Sequence, residues 1–327
     1  MSASMPADAA WVSHALHAAD AVWPETNCYI DVWIELLHSR GLNPLACLPV
    51  VFANDFEGDH WTFFKPAHAD LFTLYGVDVQ ELHVWRSLLE NATLQLARGR
   101  VVLCEVDAFH LPDTSGTDYQ QNHVKTTIAM VKIDAITRQL GYFHNRAYHR
   151  LAGEDFTRMF RLDVAADPSY MPFFAEFVKF DRLLQRDESS LAAVSAQLLH
   201  QHAARRPQHN PMPQFETALI TRLEQLQHEG LAAFHAYAFA NLRQLGAGYS
   251  LGGQYLDWLQ RNGIGDFNNA AQGCAAMSET CRILLMKTAR AVVSKRAVDL
   301  LPLTAQLTQQ WQHTMTALER ALAETAC

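Results

Sequence analysis

The amino-acid sequence predicts an α+β fold in which a strand-containing domain, residues 1–166, precedes an all-α helical domain, residues 167–327. Before residue 165, short apolar segments alternate with turn-forming residues, which is typical of strands. After Asp167-Pro168, apolar residues recur with the 3.6-residue period of amphipathic helices. A chain of 327 residues with 49% hydrophobic content is long enough to bury two medium-sized cores.

The first half contains three predicted strands. The short apolar segment 101–105 fits a buried strand, and segments 124–133 and 139–144 fit two more. Only a short turn at 134–138 separates the last two, so we expect them to form an antiparallel hairpin.

The second half is predicted to contain five helices, at about 170–185, 188–203, 214–244, 267–298 and 303–325. A proline-rich segment interrupts the pattern between the second and third helices, at Pro207, Pro211 and Pro213. The glycine-rich segment 246–253 lacks the GxGxxG spacing of a phosphate-binding loop, so we expect a turn there.

Cys28 is the leading candidate for a chemically active residue. It precedes a segment whose apolar residues share one helical face: Ile30, Trp33, Ile34 and Leu37. Thr26 or Asn27 is expected to cap this helix, which places the thiol where unpaired N–H groups and the helix dipole favour a thiolate. A cysteine in such a place has a lowered pKa and acts as a nucleophile. The alternative is a thiol that only packs in the core.

A histidine and an amide are predicted to complete a catalytic triad. If the two hairpin strands pair as expected, His123 and Asn145 emerge at the same open end. The chain order Cys28, His123, Asn145 is that of papain-like enzymes, in which the cysteine begins a helix and its partners project from a sheet. His123 would form an ion pair with the thiolate, and Asn145 would orient the imidazole ring. His149 is an alternative for either role, because a shift in register would bring it opposite His123.

Two acidic segments are candidates for binding substrate. Asp55, Glu57 and Asp59 surround a glycine and would attract the ammonium group of a donor or acceptor, although a turn with solvated carboxylates is the favoured explanation.

The second acidic segment lies on a predicted strand. Glu105 and Asp107 alternate and therefore face the same side of the sheet. Buried carboxylates are costly without partners, so we expect at least one to hydrogen-bond Lys125, Thr126 or substrate near the active-site cleft.

Composition argues against several classes of function. A net charge of −8 without a Lys/Arg cluster argues against a nucleic-acid partner. No apolar segment reaches membrane-spanning length, and residues 1–22 do not resemble a signal peptide, so we expect a cytoplasmic protein. The six cysteines (28, 47, 104, 274, 281 and 327) lack CxxC spacing, and the 16 histidines lack HExxH spacing, so no metal site is predicted.

Several segments carry a resemblance to a known family: Asn27-Cys28-Tyr29, Asp55-Phe56-Glu57-Gly58-Asp59, Glu105-Val106-Asp107 with Leu111-Pro112-Asp113-Thr114, His123 with Lys125-Thr126-Thr127, and Gly141-Tyr142-Phe143-His144-Asn145. Over most of residues 20–165 the chain resembles an uncharacterised bacterial family, which is similar in turn to the butirosin-type acyltransferases. The resemblance implies a papain-like domain followed by a helical one, with Cys28 as nucleophile and His123 as base. Where those transferases have an acidic third residue, this chain has His144-Asn145.

The resemblance also implies a reaction. An aminoacyl or acyl group would move from the phosphopantetheine thioester of a carrier protein to a small amine-type acceptor, through a thioester on Cys28. The phosphopantetheine would arrive on the carrier, so no bound cofactor is expected. Papain's upstream glutamine is missing, which leaves the backbone N–H of Cys28 and the side chain of Asn27 as candidate oxyanion donors.

Carrier proteins are usually acidic, so docking would need a local positive patch. Two groups of residues are candidates: Arg282, Lys287, Arg290, Lys295 and Arg296 on one helix, or Arg205 and Arg206. A solvated face with intrahelical ion pairs is the alternative. Two other functions stay open: a cysteine hydrolase (thioesterase, amidase or peptidase) with the same triad, and a non-catalytic carrier-binding protein.

Overall fold

The computed structural model describes residues 11–165, 167 and 169–325. The chain divides into two units that exchange segments. The first unit comprises residues 1–18, 27–44 and 68–185, and the second comprises residues 19–26, 45–67 and 186–327. The boundary between the two halves therefore lies at 185–186 and not at the predicted 166–167, and two short segments of the first half belong to the helical unit.

A six-stranded antiparallel sheet forms the centre of the first unit. Its strands are β1 (Asp78–Glu81), β2 (Val101–Asp107), β3 (Lys125–Asp134), β4 (Gln139–His144), β5 (Ala147–Ala152) and β6 (Ala175–Lys179), in the order β1-β6-β2-β3-β4-β5. The α+β class and the antiparallel β3–β4 hairpin are confirmed. The strand predicted at 101–105 is present and extends to Asp107.

In the part of the first unit that the structure describes, four α-helices accompany the sheet: α1 (Cys28–His38), α2 (His68–Tyr75), α3 (Leu88–Ala97) and α4 (Gly153–Met159). One sheet face, with Val102, Val106 and Tyr142, shares a hydrophobic core with Phe156 of α4. On the opposite face α1 packs against β3 and β4. That face carries a transverse row of four residues that lie directly opposite one another across four strands: Glu176, Leu103, Ala129 and Phe143.

Strand β6 occupies a segment that was predicted to be helical, residues 170–185. Its register places Glu176 opposite Leu103 of β2 and Glu81 of β1, so the strand joins β1 to the rest of the sheet. The apolar residues of this short segment fit either a helical or an alternating period. The segment forms a strand because, as a strand, it supplies backbone hydrogen-bond partners to both β1 and β2.

Residues 11–18 lie along α1 and pair with two buried carboxylates of that helix. The indole Nε1 of Trp11 donates to Glu35 Oε2 at 2.7 Å. His17 lies between Glu35, at 2.5 Å, and Asp31, at 3.3 Å, and all three side chains are almost fully buried. Burial alone would lower the pKa of His17, but the hydrogen bonds and charges of Asp31 and Glu35 outweigh it and raise the pKa to about 9.

The described residues of the second unit form six α-helices: α5 (Glu188–Ala203), α6 (Met212–Glu229), α7 (Leu231–Ala238), α8 (Gln244–Arg261), α9 (Asn268–Ser294) and α10 (Leu301–Thr325). The helix predicted at 188–203 is confirmed with those bounds. The helix predicted at 214–244 is divided at Gly230, whose φ of 91° ends α6, and a π-helical turn at Phe239–Arg243 joins α7 to α8.

The turn predicted at 246–253 is wrong, because this glycine-rich segment lies inside α8 and is largely buried. A Cβ atom on Gly246 would lie 2.5 Å from the Trp23 ring and 2.9 Å from Cys281 Cβ. A Cβ on Gly253 would lie 3.2 Å from the carbonyl oxygen of Ala271 in α9. The glycines therefore allow close packing of α8, which outweighs their low helix propensity.

Candidate functional site

Cys28 is the first residue of α1, as the sequence predicts. Asn27 is the cap: its side-chain oxygen accepts hydrogen bonds from the backbone N–H groups of Tyr29 and Ile30, at 3.1 and 3.0 Å. Among the described cysteines, Cys28 is the only one that is partly exposed, and the buried ones are Cys47, Cys104, Cys274 and Cys281. Burial raises the pKa of Cys104, Cys274 and Cys281, so these thiols stay protonated and unreactive.

Tyr29, the residue after Cys28 in α1, belongs to a polar cluster with His68 and Glu176. The Tyr29 hydroxyl donates to Glu176 Oε2 at 2.8 Å and lies 3.0 Å from His68 Nε2. His68 Nε2 is also 3.2 Å from Glu176 Oε1. Burial and the charge of Glu176 raise the pKa of Tyr29, which keeps the phenol protonated as a donor. Glu176 is buried, whereas the side chain of His68 is 43% exposed.

Sequence reasoning missed His68 and Glu176, which lie 39 and 147 residues from Tyr29. A glutamate among the apolar residues of the segment 175–178 was the available signal, since a buried carboxylate needs a partner. A helix over residues 170–185, as the sequence predicts, does not require such a partner.

His123 precedes β3 and is held by Asp107, the last residue of β2. The His123 Nδ1 atom lies 2.6 Å from Asp107 Oδ2, and the ring stacks on Phe109 with 4.4 Å between centroids. The side chain of His123 is 72% exposed. On the same face Lys125 donates to Glu105 at 2.6 Å, which confirms the expected partner for one of the two strand carboxylates.

The described residues do not bring Cys28, His123 and Asn145 into hydrogen-bonding contact. The carboxylate beside His123 is Asp107, whereas Asn145 lies in the turn between β4 and β5 with a positive φ of 47°. Lys125 is four residues along β3 from Ala129, or about 13 Å, so His123 lies well away from the row that faces α1. The catalytic roles of Cys28 and His123 stay predictions.

A second histidine–carboxylate pair is buried on the other face of the sheet. His144 Nδ1 lies 2.5 Å from Asp113 Oδ2, and its Nε2 lies 2.8 Å from the Thr126 hydroxyl. The Tyr142 hydroxyl donates to the other oxygen of Asp113, and His149 lies 3.8 Å from this carboxylate. Burial alone would raise the pKa of Asp113, but the hydrogen bond and charge of His144 lower it.

The acidic residues Asp55, Glu57 and Asp59, which belong to the second unit, take part in a local turn. Asp55 Oδ1 accepts from the backbone N–H of Phe56 at 2.7 Å, and Glu57 accepts from the Thr62 hydroxyl at 3.0 Å. Asp59 lies 2.5 Å from the ring of His60. The carboxylates of this segment therefore have partners within a few residues, as in the solvated-turn alternative.

Among the residues that the structure describes, no group of three or more His, Cys, Asp or Glu side chains could hold a metal ion. Within the same residues, no helix combines the length and the apolar character needed to cross a bilayer.

Comparison with known proteins gives a family. No curated protein matches the chain. Residues 12–180 match the DUF1839 N-terminal domain, and residues 188–320 match the DUF1839 C-terminal domain. These two matches meet close to the unit boundary at 185–186. Since the N-terminal match alone spans more than half of the 327 residues, the chain belongs to the uncharacterised DUF1839 family.

Proposed function

We propose that this protein is a cysteine acyltransferase in which Cys28 carries the acyl group as a thioester. One observation supports the proposal above all: Cys28 is partly exposed at the first position of an eleven-residue helix capped by Asn27. The positive end of the helix dipole would stabilise the negative charge of an oxyanion formed beside the thiol. The butirosin-type resemblance of the sequence supplies the reaction class.

The proposed reaction has two steps, acylation of Cys28 and transfer of the acyl group to the acceptor amine. The Cys28 thiolate attacks the thioester carbonyl carbon of the carrier, a new C–S bond forms, and the phosphopantetheine sulfur leaves with a proton from a protonated histidine. The acceptor amine then attacks the acyl-Cys28 carbonyl, its proton passes to the neutral histidine, and Cys28 leaves as the thiolate. The product is an amide.

Two histidines are candidates for the base. The sequence predicts His123 as the base. Its ring would be oriented by Asp107, and not by Asn145 as the sequence predicts. Hydrogen bonding favours His68, because its partner Tyr29 follows Cys28 in the chain and because buried Glu176, 3.2 Å from His68 Nε2, would hold the ring in a fixed orientation. We therefore propose His68 as the base, with His123 as the alternative that the experiment below distinguishes.

The donor is proposed to be an acyl or aminoacyl carrier protein in the cytoplasm. Part of the candidate docking patch already has partners, since Arg282 pairs with Glu279 at 2.6 Å and Arg206 pairs with Glu319. The positive charges that would contact an acidic carrier are therefore Arg205 in one group, or Lys287, Arg290, Lys295 and Arg296 in the other. Reversing the charge of Arg290 and Lys295 together should raise KM for the carrier far more than it lowers kcat.

Acylation of the thiol tests the proposal directly. Incubation with the acetyl thioester of N-acetylcysteamine, a small mimic of the phosphopantetheine arm, should add one acetyl group to the wild-type protein by intact mass. Cys28→Ala should remove this adduct and Cys47→Ala should keep it, because Cys47 is buried. An adduct that persists in Cys28→Ala would contradict the proposal.

The base is identified by alkylation kinetics. At pH 6–7 iodoacetamide should modify Cys28 before any other cysteine, and loss of the true base should slow that reaction about tenfold or more. His68→Gln and His123→Gln form the matched pair. If neither substitution slows alkylation of Cys28, the thiolate has no histidine partner, and the non-catalytic alternative is favoured.

The rate at which the acyl group leaves Cys28, in water alone and with an amine present, distinguishes a transferase from a hydrolase. A transferase should keep the acyl group on Cys28 for minutes in water and release it quickly when a suitable amine is added. Rapid release in water at a rate indifferent to amines would identify a thioesterase.

A further inference from the structure

A carboxylate, an imidazole and a hydroxyl from separate segments of the first unit meet at one end of the sheet. Asp113 lies in a short 3₁₀ turn after β2, Thr126 lies near the start of β3, and His144 is the last residue of β4. His144 Nδ1 is 2.5 Å from Asp113 Oδ2, and His144 Nε2 is 2.8 Å from the Thr126 hydroxyl oxygen. The three groups therefore follow one another in the order of a hydrolase triad, which is recognised by geometry and not by position in the chain.

The ionisation of Asp113 determines the direction of both hydrogen bonds. Its pKa is lowered, so the carboxylate is ionised at neutral pH and can only accept. In the neutral form of His144 the ring proton must then lie on Nδ1, which leaves a lone pair on Nε2. The Thr126 hydroxyl therefore donates to Nε2, and its proton points at the nitrogen that can remove it.

A second donor fixes the carboxylate in place. The Tyr142 hydroxyl donates to the other oxygen of Asp113. Burial and the charge of Asp113 raise the pKa of Tyr142, so the phenol stays protonated as a donor. When His144 accepts a proton from Thr126, the positive ring lies against an oriented negative charge, which stabilises it.

Thr126 lies at the rim of its sheet face and not at the centre. The next two residues of β3 on this face, Ile128 and Met130, are 0% exposed, whereas Thr126 is 8% exposed. The cluster also reaches the surface through His149, whose side chain is 28% exposed and lies 3.8 Å from Asp113. A small molecule can therefore approach the hydroxyl from the rim.

The surroundings of the hydroxyl favour an uncharged, apolar substrate. Val106 lies directly opposite Thr126 on β2, and both Val106 and Ile128 belong to the hydrophobic core of this face. The negative charge of Asp113 would repel an anion. A neutral acyl group with an alcohol leaving group meets both conditions.

We propose that Thr126, His144 and Asp113 form a second nucleophilic site, which hydrolyses small uncharged carboxylic esters. The Thr126 oxygen attacks the ester carbonyl carbon and forms a C–O bond, while its proton passes to His144 Nε2. The protonated ring gives this proton to the leaving alkoxide, and an acyl-Thr126 ester remains. Water then attacks the acyl-Thr126 ester with the same proton transfers, which releases the carboxylic acid and restores the hydroxyl. The site does not use Cys28 and does not depend on the acyltransferase proposal.

Covalent labelling with diisopropyl fluorophosphate tests the site, in a Cys28→Ala parent so that this thiol cannot react. The Thr126 oxygen should displace fluoride, and peptide mass spectrometry should find one diisopropylphosphoryl group on Thr126. Thr126→Val should remove the adduct, and Thr126→Ser should keep it because serine retains the hydroxyl. Asp113→Asn should slow labelling about 100-fold or more, because an amide that donates to Nδ1 moves the ring proton to Nε2.

Thr127→Val is the matched control. Thr127 is also 8% exposed, but it faces the other side of the sheet, opposite Glu105. This substitution should leave the rate of labelling unchanged, and hydrolysis of 4-nitrophenyl acetate should follow the same order among the variants. An unlabelled Thr126 in the parent, or equal labelling rates in Thr126→Val and Thr127→Val, would overturn the proposal. Because every variant carries Cys28→Ala, such a failure is distinguishable from failure of the acyltransferase proposal.

Discussion

Replacing His17 with glutamine should remove a pH-dependent contribution to the stability of the first unit. His17 carries its charge between buried Asp31 and Glu35, and its pKa of about 9 in the folded protein exceeds the ordinary value of 6.5. A group whose pKa is raised on folding stabilises the protein fully below its unfolded pKa. The contribution is lost as the pH rises through the folded pKa.

The raised pKa of His17 determines how much this residue contributes to the free energy of unfolding. A shift from 6.5 to about 9 corresponds to about 3 kcal/mol of stabilisation below pH 6.5, at 1.36 kcal/mol per pH unit. Linkage between protonation and folding then predicts that about 2 kcal/mol of this is lost between pH 7 and pH 9. His17→Gln should lower the free energy of unfolding by about 3 kcal/mol at pH 6.5, because two buried carboxylates lose their cation.

Urea unfolding followed by tryptophan fluorescence at pH 6.5, 7, 8 and 9 measures this slope. The wild-type midpoint should fall toward pH 9, and the midpoint of His17→Gln should be low and nearly constant. His14→Asn is the control, because burial lowers the pKa of His14 to about 4 and asparagine preserves its capping of Leu16 N–H. Equal slopes in wild type and His17→Gln would refute the reasoning.

Four further substitutions test the packing of glycines and the hydrogen bonding of Asp113. Gly246→Ala should destabilise the second unit by about 1–3 kcal/mol because its Cβ would overlap Trp23, whereas Gly252→Ala, whose nearest neighbours lie at 3.3 Å, should be nearly neutral in thermal unfolding. Asp113→Asn should lower stability at neutral pH. It should also abolish the part of the wild-type acid destabilisation that occurs as the pH falls through the lowered pKa of this carboxyl, and urea midpoints at about pH 2–5 measure that loss. Gly76→Ala should cost about 2 kcal/mol or more, because its φ is 69° and a Cβ would lie 1.8 Å from the Arg182 carbonyl oxygen; a smaller change in the urea midpoint would contradict this geometry.

Local signals made much of the fold predictable from the sequence. The β3–β4 hairpin follows from two apolar segments and a short turn, and the start of α1 follows from an asparagine cap before an amphipathic segment. In both cases the deciding contacts lie within a few residues along the chain, where sequence patterns are informative.

Long-range contacts decided the features that were mispredicted. Strand β6 depends on partners in β1 and β2, and the helical state of the glycines in α8 depends on Trp23 and α9. Long-range contacts also explain why only part of the candidate site was predictable. Cys28 and its cap were identified locally, whereas His68 and Glu176 are brought to Tyr29 only by the tertiary fold.

The glycines of α8 also carry a consequence for the order in which the helical unit assembles. Gly246, Gly248, Gly252 and Gly253 together cost about 4 kcal/mol of intrinsic helix stability relative to alanine. An isolated peptide with the sequence of α8 should therefore be mostly unstructured in water. Helix α8 should gain its structure late, when α9 and the Trp23 segment are already in place to cover the glycines.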